Sequence, residues 1–490
     1  MRSLRVTVAS TGLAALAAAI ALVFFAALPV QAQVTPPNVE LSLSPGTSDT
    51  VEKTVGTPVV PPALDLCLLV DLSGSYGDDL TRIKNDSLAA QLFNDVRAAV
   101  PDSFFCSASF VDYPFSNWGV AASGDYGYQL EQDLTPDGGV WAASINSMIV
   151  RNGSDGPEAQ YEGLYQMATG AGRDVTPAGA SLGDIAPGQD PSWRPIAGVT
   201  RVVAITTDAP FHVAGDPSGI GGCDPAARPC DYPGPTRNDA VAALNSRGIK
   251  VIAIKAPGSG AEMNDVANAT DGSVVSTDSS SSQIASAIVE GIGNLPTTVT
   301  PQVIGCAPLV VGFIPATRTV QSGDDATFTE TIAVPNDPAL AGTTVNCQVA
   351  FVTDSDLNLG VQTVHIHVLD VVPPQAACVE GVNPAGNTPK AGQKSPGMNE
   401  DGFYHIEASD NVAVAQLWLI DLGSGMHLGP LMNPSDIKYT QNASAPGVKA
   451  GSGDVDYKIN GNGDFSLYAV DTSGNVSDPN PTCLVPPPPK

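Results

Sequence analysis

The sequence predicts a multidomain chain in which a doubly wound α/β domain is followed by an all-β sandwich and a C-terminal β-rich domain. Three observations carry that expectation. Leu64-Asp65-Leu66-Cys67-Leu68-Leu69-Val70 is a run of apolar character, the mark of a strand buried on both faces of a parallel sheet. From there to about residue 294, strand-like and helical segments alternate, as a parallel sheet with helical crossovers requires. After Pro296 the helical period disappears, and alternation with a period of two replaces it.

The elements follow in order. Arg2 and Arg5, an apolar run over 13–30 and the small-residue site Val30-Gln31-Ala32 read as a secretory signal, residues 1–32. An uncleaved membrane anchor is the alternative, and the cleavage-like site favours removal. The remainder is then expected to be secreted and extracellular. Residues 33–62 are rich in Pro, Thr, Ser and Val, and Val39-Glu40-Leu41-Ser42-Leu43 alternates as a strand does. The α/β domain spans 63–296. Asp78 and Asp79 open its first helix, whose apolar face is Leu80, Ile83, Leu88, Leu92, Val96 and Val100. Further strands are expected at 104–110, 201–206 and 249–254, with helices at 159–168 and 237–246. In such a sheet ligands bind at the carboxyl ends of the strands. Residues 297–372, with runs such as Ala326-Thr327-Phe328-Thr329-Glu330-Thr331-Ile332, read as an immunoglobulin-like sandwich. Pro373-Pro374 marks the start of the C-terminal β-rich domain, 373–490, which contains Tyr468-Ala469-Val470-Asp471-Thr472-Ser473-Gly474-Asn475 and ends in a proline-rich tail.

A formal net charge of −28 argues against nucleic acid or an anionic membrane as partner. Eight cysteines in an exported chain suggest disulfides. Their order offers local pairs: Cys223 with Cys230, Cys306 with Cys347 and Cys378 with Cys483, which leaves Cys67 with Cys106. None forms a C-x-x-C pair, so zinc or thiol redox chemistry is not expected.

Asp71-Leu72-Ser73-Gly74-Ser75 stands immediately after the first buried strand. One carboxylate and two hydroxyls spaced two apart in a turn can aim their oxygens at one centre, and Mg²⁺ takes such hard oxygen ligands beside retained waters. Alone, the turn is equally a strand end capped by Asp and Ser. DLSGSYGDDL (71–80) resembles the start of the integrin β-subunit I-like domain, a domain of the von Willebrand factor type A fold with a metal-ion-dependent adhesion site. SFVD (109–112), GPE (156–158), WR (193–194), TTDAPFHVAGD (206–216) and STDSS (276–280) follow in that family's order. The resemblance covers roughly 64–294.

What the resemblance implies is specific. Asp71, Ser73, Ser75 and Glu158 match the ligands of the central site, which holds Mg²⁺ or Mn²⁺. Asp208 matches an acidic residue that acts through water or at one remove from the ion. Asp78 and Asp79 match the acidic pair of an adjacent Ca²⁺ site, completed by the Ser75 carbonyl and the backbone near Thr277. Asp112, Asp155, the Pro157 carbonyl and Glu158 match a third site on the other flank. There the family uses an asparagine two residues before the aspartate, and Gly153 stands in that position. The loop after Asp112 is short and lacks the disulfide loop that serves ligand and α-subunit choice, so no stable integrin α-like partner is implied. A Gly/Pro-rich insertion, about 170–191, precedes Trp193. In integrin β subunits the I-like domain is inserted into a hybrid β-sandwich. By that parallel 33–62 pairs with 297–372, and an unstructured leader is the alternative.

Other signals carry less. Gly179-Ala180-Ser181-Leu182-Gly183 fits a nucleophile elbow but lies in a Pro/Gly-rich loop, without the strand and helix that motif needs. His365 and His367 share a strand face without a third ligand nearby, and His212 reads as structural. Asp354-Ser355-Asp356-Leu357-Asn358 resembles a calcium loop, but Leu359 stands where an EF-hand needs Gly. The expected function is therefore non-enzymatic: cation-dependent binding of an acidic group on an extracellular protein. A structural surface protein with stabilising Ca²⁺ or Mg²⁺ is the alternative, and a metal-dependent hydrolase comes third.

Overall fold

A computed structural model of the chain describes residues 34–85, 88–115, 117–175, 182–216, 229–277, 283–380, 403–428, 453–458 and 463–485. The expected signal segment and Gly179, Ala180 and Ser181 of the elbow-like motif lie outside the described residues.

At the centre is a six-stranded sheet in the order Gln129–Thr135, Asp102–Phe110, Ala63–Asp71, Val199–Thr207, Ile249–Lys255, Ser273–Ser276. All neighbours are parallel except Gln129–Thr135, which runs antiparallel at one edge. Every residue of Ala63–Asp71 is buried, which is why its sequence is apolar on both faces. Leu69, Phe110 and Ile205 pack on one face with Leu164 and Leu244 of the helices Gln160–Thr169 and Arg237–Ser246. Leu66, Leu68 and Val70 pack on the other with Leu92, Val96 and Ile288 of the helices Leu88–Ala99 and Ile284–Gly293. Each such side chain contributes about 1.5–3 kcal/mol.

Besides Asp71 at its end, the central strand carries one acidic residue. Asp65 is fully buried, and Arg194 supplies its counter-charge: Nε lies 2.5 Å from Asp65 Oδ1, and the backbone N–H donates to Oδ2 at 2.9 Å. Burial pushes the Asp65 carboxyl up and Arg194 opposes it.

The helical segment expected from Asp78 to Val100 is described as Gly77–Asn85 and Leu88–Ala99. Residues 86 and 87 lie outside the described residues.

Two further sheets, ordered Val34–Thr35, Ser48–Gly56, Asp325–Ala333, Val310–Ile314 and Arg318–Gln321, Pro296–Ile304, Thr344–Thr353, Asn358–Val368, Asn38–Leu43, share one core through Val55, Phe328, Phe351 and Ile366. Segment 34–56 thus supplies strands to both sheets. Ser48–Gly56 pairs antiparallel with Asp325–Ala333, and Asn38–Leu43 pairs parallel with Asn358–Val368. The loop read as calcium-like instead joins this sandwich to the α/β domain: Asp354 lies 2.7 Å from Lys250 Nζ, and the Ser355 carbonyl accepts from Gly198 N–H at 2.6 Å.

Two antiparallel sheets make up the C-terminal part: Gln375–Glu380, Phe403–Ser409, Gly453–Lys458, and His427–Leu428, Val414–Asp421, Gly463–Asp471, Asn480–Val485. Disulfides join Cys67 to Cys106 and Cys306 to Cys347. Cys230 is also disulfide-bonded. Cys223 and the side chains of Cys378 and Cys483 lie outside the described residues. No described helix is long and apolar enough to cross a membrane.

Candidate metal centre

The sheet order explains why acidic groups gather. From Ala63–Asp71 the chain moves to Asp102–Phe110 on one side and later to Val199–Thr207 on the other, so the loops after these strands diverge from one point. Asp71 ends the central strand, Asp112 follows the second, and Asp208 follows the third. All three stand at the same sheet end.

Asp71 is fully buried. Its Oδ1 accepts from Ser73 N–H at 2.8 Å, and its Oδ2 accepts from Thr207 Oγ1 at 2.6 Å. Ser73 Oγ and Ser75 Oγ are 3.1 Å apart, and Ser75 Oγ donates to Asp208 Oδ1 at 2.9 Å. The turn is pinned from behind: Gly74 N–H donates to the Asn152 carbonyl at 2.8 Å, and Arg151 N–H donates to the Leu72 carbonyl at 2.7 Å. Glu158 comes from the loop before Gln160–Thr169 and is locked by backbone bonds on both sides, its N–H to the Pro210 carbonyl and its carbonyl to His212 N–H. Its side chain is buried, and Oε2 has no hydrogen-bond partner. Burial, then the charges of Asp71, Asp112 and Asp155, push the Glu158 carboxyl up to about 12. Burial lifts Asp71 to about 7 against the bonds from Thr207 and Ser73.

On the flank where a third cation was expected, the structure places an imidazole. His212 Nε2 lies 3.0 Å from Asp112 Oδ2, an ion pair without hydrogen-bond alignment, and 3.3 Å from Asp155 Oδ2. Its Nδ1 lies 3.2 Å from Asp216 Oδ2. Tyr232 stacks on the ring at 4.3 Å. Burial pulls the imidazole down, but Asp112 and Asp155 outweigh it and hold it up at about 10. Asp112 is itself raised to about 6 by burial, with His212 opposing. Asp112, Asp155 and His212 offer ligand atoms all within 4.8 Å of one another. Pro157 sits half-buried beside Glu158.

The adjacent pair lies in the first turn of Gly77–Asn85, with Asp78 exposed and Asp79 buried. Thr277 follows Ser273–Ser276, a strand separated from Ala63–Asp71 by two others, and its N–H donates to the Lys255 carbonyl at 2.9 Å. The next residues, 278–282, lie outside the described residues.

Sequence reasoning missed three contributors. Thr207 holds Asp71 and is itself held by Gln160 Nε2 at 3.1 Å. Asp125 accepts from Asn152 and Gly153 N–H, at 3.0 and 3.1 Å, and so shapes the loop that carries Asp155 and Glu158. His212 was set aside as structural. Of these, only Thr207 and His212 stood within a quoted motif.

The donor set suits a hard cation: carboxylates and hydroxyls, with a buried carboxylate oxygen on Glu158 that no donor reaches. Asp71, Asp112 and Asp155 sit close enough to raise Glu158, and a divalent ion would reverse that repulsion.

No family model matches the chain. It is 27% identical over 167 residues to integrin beta-1-A of Xenopus laevis, covering 31% of this chain and 18% of that one. Integrin beta-1 of Gallus gallus is 28% identical over the same coverage. The chain thus spans less than a fifth of the length of the curated relatives it matches. Among solved structures, a von Willebrand factor type A protein from Catenulispora acidiphila aligns with a TM-score of 0.32 at 12% identity, covering 71% of this chain and 76% of that one. The pilus adhesin SpaC from Lactobacillus rhamnosus GG aligns with a TM-score of 0.30 at 11% identity, covering 89% and 71%. Superpositions this loose carry no argument about the site. The integrin matches and the mixed α/β sheet together support an integrin I-like domain of the von Willebrand factor A type within this chain.

Proposed function

We propose that the protein is a secreted, non-enzymatic binding protein that captures an acidic group of an extracellular protein through a divalent cation. Asp71, Ser73, Ser75 and Glu158 would hold Mg²⁺ or Mn²⁺, with Asp208 close by, and Asp78 and Asp79 would hold Ca²⁺ beside it. The observation that carries this reading is the buried Glu158 carboxylate, with an oxygen that no donor reaches and three other acidic groups acting on it. Bound there, a divalent ion supplies positive charge and an open coordination position for a carboxylate. The chain's own work is to hold the turn rigid, through Thr207, Asn152 and Arg151, so that the position stays open.

The test is binding of the full chain to a panel of matrix and cell-surface proteins, in Mg²⁺ or Mn²⁺ and in chelator, beside Asp71→Ala. Chelator-sensitive binding that Asp71→Ala reduces at least a hundredfold, with the fold intact, is the expected result. If folded Asp71→Ala binds as well as the wild type, the ion only stabilises the loops and the adhesion reading fails.

A further inference from the structure

A second acidic cluster lies far from the α/β domain in sequence. Asp370 follows the strand Asn358–Val368 of the sandwich, Asp410 follows Phe403–Ser409, and Asp471 ends Gly463–Asp471. The three are 8%, 6% and 2% exposed, and each offers a carboxylate oxygen within 4.8 Å of the other two. We propose that Asp370, Asp410 and Asp471 form a Ca²⁺ site at the junction between the sandwich and the C-terminal β-rich part.

The carboxylates are held in place by donors that leave part of their capacity unused. Asp410 Oδ2 accepts from Val412 and Ala413 N–H, both at 2.8 Å. Asp471 Oδ1 accepts from Ser473 N–H at 2.8 Å and Asn475 N–H at 2.9 Å, and Oδ2 accepts from Asn475 Nδ2 at 2.8 Å. Asp370 Oδ1 accepts from Val372 N–H at 3.1 Å and Asn411 Nδ2 at 3.2 Å, and Oδ2 accepts from Ser473 Oγ at 3.4 Å.

A separate observation points to a ligand. Asp410 Oδ1 is buried with no hydrogen-bond partner, on a residue more than nine-tenths buried. Among the described residues no Lys, Arg or His pairs with any of the three carboxyl groups, which face one another across the cluster. Burial raises the Asp410 carboxyl, and Asp370 and Asp471 raise it further. A cation resolves this arrangement where further neutral donors would not.

The donor set is all oxygen and mostly anionic, which selects a hard ion over a transition metal. Ca²⁺ fits better than Mg²⁺, because it accepts irregular shells with more protein oxygens, whereas Mg²⁺ keeps several waters. The ion would join the linker after the sandwich to two loops of the C-terminal part. Asp370 already reaches one of them, since its carbonyl accepts from Asn475 Nδ2 at 3.0 Å. The site therefore fixes a junction, and it stands independently of the adhesion reading.

The experiment titrates Ca²⁺ alone into metal-free full-length wild type, Asp410→Asn and, as control, Asp95→Asn, exposed on the helix Leu88–Ala99, by calorimetry. Asparagine keeps an oxygen for the Val412 and Ala413 N–H groups and puts an amide where the partnerless oxygen was. Asp410→Asn is expected to lose one Ca²⁺ equivalent, or to bind it at least tenfold more weakly, while Asp95→Asn matches wild type. Unchanged stoichiometry and affinity in Asp410→Asn would overturn the proposal. Melting adds a sign test. Asp410→Asn relieves like-charge repulsion in chelator and should melt above wild type there, but below it in Ca²⁺. A shift of the same sign and size in both conditions also overturns the site. Should Asp410→Asn fail to fold, Asp370→Asn takes its place with the same outcomes.

Discussion

His212 Nε2 lies 3.0 Å from Asp112 Oδ2 and 3.3 Å from Asp155 Oδ2. The ring is buried, stacked on Tyr232 and flanked on its far nitrogen by Asp216. Gly153 stands in place of the expected asparagine, and a Cβ there would stand 2.6 Å from Glu158 Oε1.

Removing the His212 ring should cost stability. His212→Ala leaves Asp112 buried beside Asp155 without a counter-charge, a loss of about 3–5 kcal/mol by the usual cost of breaking a buried pair. Denaturant melts in chelator measure it. Millimolar Ca²⁺ should restore much of the loss in the variant, since the vacated space is ringed by carboxylates. A melt in chelator equal to wild type would mean the imidazole is not the counter-ion.

Thr207 tests whether the central turn is held for a metal. Its hydroxyl donates to Asp71 Oδ2 and accepts from Ala209 N–H at 3.1 Å. Thr207→Val keeps the volume and deletes these two bonds and the one accepted from Gln160 Nε2, so stability should fall by about 1–3 kcal/mol. Mg²⁺ affinity should fall by about 10–100-fold, as for other residues that orient a metal ligand. Thr207→Ser should rescue affinity, which a merely structural threonine does not require. Calorimetric titration with Mg²⁺ separates the two.

Gly153 and Gly156 form a matched pair. Gly153 has φ +58 and its Cβ would press on the Glu158 carboxylate, whereas a Cβ on Gly156 would meet nothing within 4 Å. Gly153→Ala should therefore cost about 1–3 kcal/mol in backbone strain and displace Glu158, weakening Mg²⁺ binding. Gly156→Ala should match wild type in both measurements. Equal behaviour of the two variants would show that Glu158 is free to move.

Particular residues show what a sequence can reveal here. Leu64 to Val70 announces its strand because burial on both faces demands apolar character, and the turn at Asp71 follows because ligands gather at strand ends. Asp65 looks out of place until Arg194 is brought beside it, and nothing local in the chain foretells that meeting. Thr207, Gln160 and Asp125 are ordinary residues whose roles come only from what they touch. His212 stood in a quoted motif, yet its partner Asp112 lies on another strand's loop, so its charge had no visible purpose. The strand at Val39 to Leu43 was legible by alternation, but its register with Asn358–Val368 was not, because register between distant segments leaves no local trace.

That distant pairing has its own test in Lys53. It comes from the strand Ser48–Gly56, is 1% exposed, and lies 3.3 Å from Glu330 Oε2 on the neighbouring strand Asp325–Ala333. Gln362 Nε2 donates to both Glu330 oxygens, at 3.2 and 2.9 Å. Burial lowers the Lys53 ammonium and Glu330 opposes the shift. Lys53→Met should destabilise the sandwich by about 3–5 kcal/mol, because Glu330 is left charged and buried. Lys53→Met with Glu330→Met should recover most of that, since an apolar pair of similar volume is often neutral or stabilising in such a position. Equilibrium denaturation of the single and double variants measures both. Were segment 34–56 only a loosely attached leader, Lys53→Met would leave the transition where it was, and the double variant would be no better than Glu330→Met alone.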